Sequence, residues 1–144
     1  MTSPAPAATF HSSRPATVQR WVIRFCAFVL FTGLPAVILP GVALRKFAWM
    51  MKMPRPTLEP LTVYLSGNTG FIYVGFGVIF WMISNDVVRH QAFVKAIGWI
   101  LLLGGPIYFS IDMQAKLPVW WVLLDAISCF AMGLTLLLTS RKIG

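Results

Sequence analysis

The chain has 144 residues, of which 58% are hydrophobic and 11% charged, with a mean hydropathy of +0.76. A soluble domain carries about 25% charged residues, so this composition cannot cover a surface in water. Four membrane spans of about 20 residues would fill most of the length and leave no room for a large soluble catalytic domain. Twelve Lys and Arg against four Asp and Glu give a net charge of +8, yet the basic residues stand at the ends of apolar runs. That placement suits anionic lipid headgroups and argues against nucleic acid as a partner.

Residues 1–20 are rich in Pro, Ala, Ser and Thr without hydrophobic periodicity, and read as a disordered tail preceding a transmembrane domain over 21–144. Span 1 is expected over about 21–39, longer than the 7 to 15 residues of a signal-peptide core and therefore retained. Pro35 should kink it and Pro40 close it. In residues 41–53, Leu44, Phe47, Ala48 and Met51 fall on one helical face while Arg45, Trp49 and Lys52 share another. This segment is too short to cross and reads as a helix lying along the headgroups, ended by Pro54, Pro56 and Pro60.

Span 2 is expected over about 61–83, followed by a polar turn of Ser84, Asn85 and Asp86 in which Asp86 would cap the next helix. Span 3 covers about 92–111 and contains Gly104, Gly105 and Pro106; residues 112–117 read as the last loop, and span 4 runs over about 118–139. Arg20, Arg24, Arg45, Lys46, Lys52, Arg89, Lys95, Arg141 and Lys142 mark the membrane boundaries as headgroup anchors. Trp21 and Trp81 at one boundary, with Trp120 and Trp121 at the other, fit aromatic belts. Seven basic residues on the side of the termini against five opposite favour both termini in the cytoplasm.

Known chemistry is sparse. Cys26 and Cys129 lie in apolar segments without a CxxC partner and read as packing residues. His11 and His90 cannot supply a familiar metal or haem set, no cofactor is evident, and no nucleophile, phosphate-loop or dinucleotide motif occurs. No catalytic residue can be nominated, and enzyme is the least favoured class.

Asp125 is the most unusual residue, because a carboxylate about 10 Å inside a membrane boundary must find partners or take up a proton. Ser128, Cys129 and Met132 continue its helical face, which should turn inward. Counting along alternating spans puts Asn68 with Thr69, Gly104, and Gly33 with Thr32 at the same depth. The expected binding layer is therefore Asp125, Asn68, Thr69, Ser128 and Thr32, with an Asp125 to Asn68 hydrogen bond across the bundle. On the other side of span 2, Ser66, Gly70 and Gly77 form a small-residue face, and with Gly104 and Gly105 they should allow close helix packing or a homo-oligomer.

Arg20 and Trp21 opening span 1, the Asp86 to Arg89 turn, Lys95 followed by Gly98 and Trp99, and Pro118, Trp120 and Trp121 leading to Asp125 form a set of boundary motifs. Over residues 20–140 the chain resembles small four-helix bacterial inner-membrane proteins linked to biphenyl-degradation operons, and more loosely the DoxX-like proteins. Relatives tend to carry Glu where this chain has Asp125. The resemblance implies a four-helix architecture in a bacterial inner membrane and supplies no activity.

The expected fold is an all-α, integral membrane four-helix bundle with a short interfacial helix between spans 1 and 2. The favoured function is an accessory or structural subunit of a larger membrane assembly, with other membrane subunits or further copies as partners. The alternative is a binder or carrier of a small lipophile, a quinone or lipid, with Asp125 at its polar end.

Overall fold

A computed structural model describes residues 14–142, in which six helices build an all-α bundle of four membrane-spanning segments. Helix α1 (Arg14–Phe31) and the short α2 (Leu34–Ile38) together make the first span, and α4 (Pro60–Asn85), α5 (Gln91–Gln114) and α6 (Val119–Ser140) are the others. Between α2 and α4 lies α3 (Pro40–Met50), whose 11 residues reach about 16 Å and cannot cross a hydrocarbon core of about 30 Å.

The first span is interrupted at Thr32 and Gly33. Pro35 has no N–H to give the Phe31 carbonyl, so the preceding turn tightens: Thr32 and Gly33 donate to the Val29 and Leu30 carbonyls, both at 3.1 Å. The Thr32 hydroxyl also donates to the Val29 carbonyl at 2.6 Å, and α2 restarts with Ala36 and Val37 donating to Gly33. A second break follows at Leu39, held out of the helical region at φ −136°, ψ 66° by the proline after it.

Helix α3 buries Ala48 and Met51 and half-buries Leu44, while Arg45, Lys46 and Trp49 are exposed. Phe47 packs edge-on against Trp121 of α6 at 5.9 Å, tying α3 to the start of the last span. Both α3 and α5 end in the same way. Lys52 and Lys116 take left-handed conformations (φ 55° and 54°), and Met53 and Leu117 donate back to the Ala48 and Asp112 carbonyls. These are Schellman closures with lysine where glycine is usual.

Two pairs of helices make the closest contacts. The α1–α2 segment lies against α4, where a Cβ added to Gly70 would stand 2.7 Å from the Gly33 carbonyl and one added to Gly77 would stand 3.0 Å from the Phe31 ring. Helices α5 and α6 meet at Gly98, Gly105 and Gly133; a Cβ on Gly133 would lie 2.6 Å from the Leu102 amide nitrogen. Small residues at these points let backbones approach, which is how helices associate where lipid supplies no hydrophobic drive. Helix α1 joins the pairs by packing on α6, and Ile23, Ile83, Val87, Val94, Ile97 and Leu136 form the apolar core at the end nearest the termini.

That end also carries a buried polar bridge. Gln19, fully buried, donates to the Ser140 hydroxyl at 2.9 Å and accepts from Gln91 at 2.7 Å, so α1, α5 and α6 share one hydrogen-bonded chain. The bridge corrects the tail boundary: residues 14–20 are the first turns of α1, held by Ala16 and Gln19, and only the remainder of the expected tail lies outside the described residues. Three further boundaries change. Helix α4 continues through Ser84, whose hydroxyl caps the Trp81 carbonyl at 2.6 Å, so Ser84 belongs to the helix and not to the turn. Asp86 accepts the Arg89 amide at 3.1 Å within the turn instead of capping α5. Helix α5 runs on to Gln114, which places Asp112 in the helix and 7% exposed instead of in a loop.

Candidate functional site

The break in the first span opens a groove against α4. Thr32, Gly33 and Ala36 form one wall, Thr62, Ser66, Thr69, Gly70 and Tyr73 the other, and Leu44 and Phe47 of α3 border one end of an open groove of about 440 Å³. Positions 62, 66 and 69 follow the i, i+4, i+7 rule, so one stripe of α4 carries three hydroxyls into this space. They lie about 3, 9 and 14 Å along the helix from Pro60, so the stripe runs from the end of the span toward its middle. Other serines and threonines of the spans, such as Ser84, Thr135, Thr139 and Ser140, return their hydroxyls to backbone carbonyls. Thr62, Ser66 and Thr69 make no such bond among the described residues, which leaves three donors facing the groove.

The groove exists because of the same residues that break the helix. Where Gly33 and Gly70 touch, the two backbones are as close as they can be; a Cβ on Gly33 would stand 3.0 Å from Tyr73 Cβ and 3.1 Å from the Gly70 carbonyl. Beyond that contact the chain turns away at Pro35 and Leu39 into α3, and the walls diverge.

Of the five residues expected in the binding layer, Thr32 and Thr69 meet in the groove, together with Ser66 and Gly70 of the expected packing face. Asp125 and Ser128 lie elsewhere, on α6. The Asp125 carboxylate accepts the Cys129 thiol one turn along at 3.9 Å, and the Ser128 hydroxyl donates to the Asp125 carbonyl at 3.0 Å. Asn68 is exposed on the outer side of α4, and no hydrogen bond joins it to Asp125. The expected Asp125 to Asn68 link is therefore corrected: equal depth does not bring them together, because α1 packs on both α4 and α6 and Asn68 faces outward.

Among the packing residues, Gly70 and Gly77 are buried against α1 and α2, and Gly105 is buried with the Ala126 carbonyl 3.2 Å from an added Cβ. A homo-oligomer on the Gly70 face is thus ruled out by the chain's own first span. An added Cβ on Gly104 would meet only the Tyr108 ring of its own helix, at 3.5 Å, so it is no helix contact.

The headgroup residues divide as well. Arg45, Lys46, Lys52, Arg89, Lys95, Arg141 and Lys142 are exposed. Arg24, expected to reach for phosphate, instead donates from Nε to the Ser84 hydroxyl at 3.3 Å and stacks over Trp81 at 5.3 Å, a tie between α1 and α4. Arg20 is half-buried, with its Nε enclosed and without a hydrogen-bond partner among the described residues.

Three polar groups escaped the sequence reading. Gln19 and Gln91 build the terminal bridge, and Asp112 has an enclosed Oδ2 without a hydrogen-bond partner among the described residues. A signal for Gln19 was present in its four-residue and seven-residue spacing to Ile23 and Cys26, which extends the buried face of span 1 backwards. Nothing in the sequence marks Asp112. Among the described residues no three His, Cys, Asp or Glu side chains gather as a metal site.

No protein-family model matches the sequence, and comparison with curated proteins and with solved structures finds no similar chain.

Proposed function

We propose that the protein binds a small membrane lipophile in the groove at the break of its first span. The observation that carries this reading is the stripe of three hydroxyls, Thr62, Ser66 and Thr69, without hydrogen bonds among the described residues and facing Thr32 across the groove. A hydroxyl in hydrocarbon without a partner costs a few kcal/mol, a deficit that a hydrogen-bond acceptor in the groove would relieve. Hydroxyls both donate and accept, and their O–H groups can donate to a quinone or an ester carbonyl that carries an apolar tail. The volume falls within the usual 300 to 1,000 Å³ of small-molecule sites and accommodates a ring or ester head, the tail remaining in lipid. Asp125 has no part in this version of the lipophile reading.

Purification in mild detergent followed by solvent extraction tests the proposal. A stoichiometric quinone or lipid should travel with the wild type and be depleted from Thr69→Leu, a change at an exposed position that fills the groove. Equal lipophile content in the two proteins would contradict it.

A second reading, membership of a larger membrane assembly, is favoured by a different observation: the exposed carboxamide of Asn68, within the span and without a hydrogen-bond partner among the described residues. Kinship with the biphenyl-operon-associated proteins is a proposal resting on the boundary motifs of residues 20–140. So is a cytoplasmic location of both termini. A reporter fused after residue 144 that is active only on the outer side of the membrane would overturn that location.

A further inference from the structure

Where α1 packs on α6, the middle of the bundle holds three sulfur atoms. Cys26 is buried at the centre of the 25-residue first span, and its thiol donates to the Met132 thioether of α6 at 3.7 Å. Cys129, also buried, stands three residues before Met132 on the same side of α6, close enough for the two thiols to act on each other electrostatically. Its own thiol donates to the Asp125 carboxylate at 3.9 Å. Asp112 of α5 completes the group. It is 7% exposed, its Oδ2 is enclosed without a hydrogen-bond partner among the described residues, and its charge acts on both Asp125 and Cys129. Among the described residues no cationic side chain acts on Asp125 or Cys129. Asp112, Asp125 and Cys129 lie about 3, 9 and 15 Å along their helices from the loop that joins α5 to α6, so a column of acidic and thiol groups leads from that loop to the sulfurs.

We propose that Cys26, Cys129 and Met132 bind one soft monovalent cation, copper(I), with Asp112 and Asp125 lining its way in from the α5–α6 loop. The inference goes beyond the lipophile groove and is independent of it. Distance supports it. A metal–sulfur bond of about 2.3 Å sets sulfurs that share one ion about 3.8 to 4.0 Å apart, and Cys26 and Met132 already stand 3.7 Å apart. Donor chemistry selects the ion. Thiols with a thioether favour copper(I), whereas a zinc site takes its ligands from Cys, His and carboxylates, and no three such side chains gather for a metal among the described residues. The enclosed Asp112 carboxylate points the same way, because a buried acidic group with no donor beside it is relieved by a cation. As the metal–sulfur bonds form, each thiol gives up its proton. The Cys129 proton passes along its hydrogen bond to Asp125 and on to Asp112; the Cys26 proton follows through Cys129 to Asp125.

The test titrates the purified full chain in lipid nanodiscs, without oxygen, with silver(I) as a redox-inert probe and with copper(I) against a chromophoric chelator. Wild type should bind one ion, and X-ray absorption of the copper form should show a shell of sulfur alone at about 2.3 Å. Asp125→Asn, which removes the partner of a ligand, should weaken binding about 10-fold, and Met132→Leu about 100-fold with its volume and apolar character kept. Cys129→Ala should weaken it further, and Met82→Leu, at an exposed position on α4, should leave it unchanged. Melting temperatures report folding, so if the cysteine variant fails to fold, Met132→Leu against Met82→Leu decides. Wild-type affinity in Met132→Leu, an equal loss in Met132→Leu and Met82→Leu, or a copper shell of nitrogen or oxygen would overturn the proposal.

Discussion

The two helix pairs use the same device to different ends. In α5 and α6 a short connection, residues 115–118, joins antiparallel spans, and the backbones come together at two levels, Gly98 against Gly133 and Gly105 against Ala126. In the α1–α2 and α4 pair, glycines make an equally close contact at Gly33 and Gly70, but the first span breaks there and is followed by α3 and a proline-rich connection. The first pair is closed along its length. The second is tight where Gly70 meets Gly33 and where Gly77 meets Phe31 and Ala27, and it opens on the far side of Gly33, where the α4 hydroxyls of Thr62, Ser66 and Thr69 line the space. The difference shows that small residues alone do not make a site in a membrane; a site forms where the backbone departs from the helix after the close contact and polar groups line the space that results.

The largest loss should come from the closed pair. A side chain at Gly133 meets the Leu102 amide and the Gly98 carbonyl, both backbone atoms that cannot rotate aside. Gly133→Leu should therefore abolish monodisperse folded protein in detergent, and Gly133→Ala should cost about 1 to 3 kcal/mol, read as a lower melting temperature. Next comes Gly70→Leu in the open pair, whose Cβ strikes the Gly33 carbonyl. It should also cost about 1 to 3 kcal/mol, less than Gly133→Leu because the broken span can shift, and it should deplete the bound lipophile. Equal effects at the two glycines would erase the contrast between the pairs.

The terminal bridge joins the pairs, so Gln19→Leu tests whether they behave as one unit. It removes two buried hydrogen bonds, to Ser140 and from Gln91, and should destabilise by about 1 to 2 kcal/mol in a thermal melt. The smallest effect is expected at Asp125, whose carboxylate has, among the described residues, a single hydrogen-bonding contact, with the Cys129 thiol at 3.9 Å. Asp125→Asn should stay within about 0.5 kcal/mol of wild type, and Asp125→Leu should not cost the 1 to 3 kcal/mol that a lost partner at Asn68 would bring. A large loss on Asp125→Leu, restored by asparagine, would return Asp125 to a structural role between helices.

The four spans and the short non-spanning helix were legible in the sequence because hydropathy and length decide what can cross a bilayer. The beginning of α1 was hidden by its polar composition, since Gln19 can be buried only because Ser140 supplies its partner from 121 residues away. Asp112 was lost for a related reason: polarity was taken to end the span, whereas the helix continues and folds it inward. The site was half legible. Counting residues along alternating spans gives depth, and it put Thr32, Gly33 and Thr69 at one level. It does not give azimuth or neighbourhood, so Asn68 and Asp125 fell into the same layer although one faces outward and the other sits on α6. The break at Thr32 and Gly33, visible only as Pro35 in the sequence, is what decides which of these residues share a space.

The most direct measurement is photolabelling of the full chain in vesicles with an azido-quinone and, separately, a diazirine fatty-acid ester, followed by peptide mapping. The account predicts that one of these labels concentrates on residues 62–73 of α4 and 32–36 of the broken span, is competed by the unlabelled compound, and is lost in Thr69→Leu. Label spread evenly over the lipid-facing surface, or concentrated on α5 and α6, would contradict it.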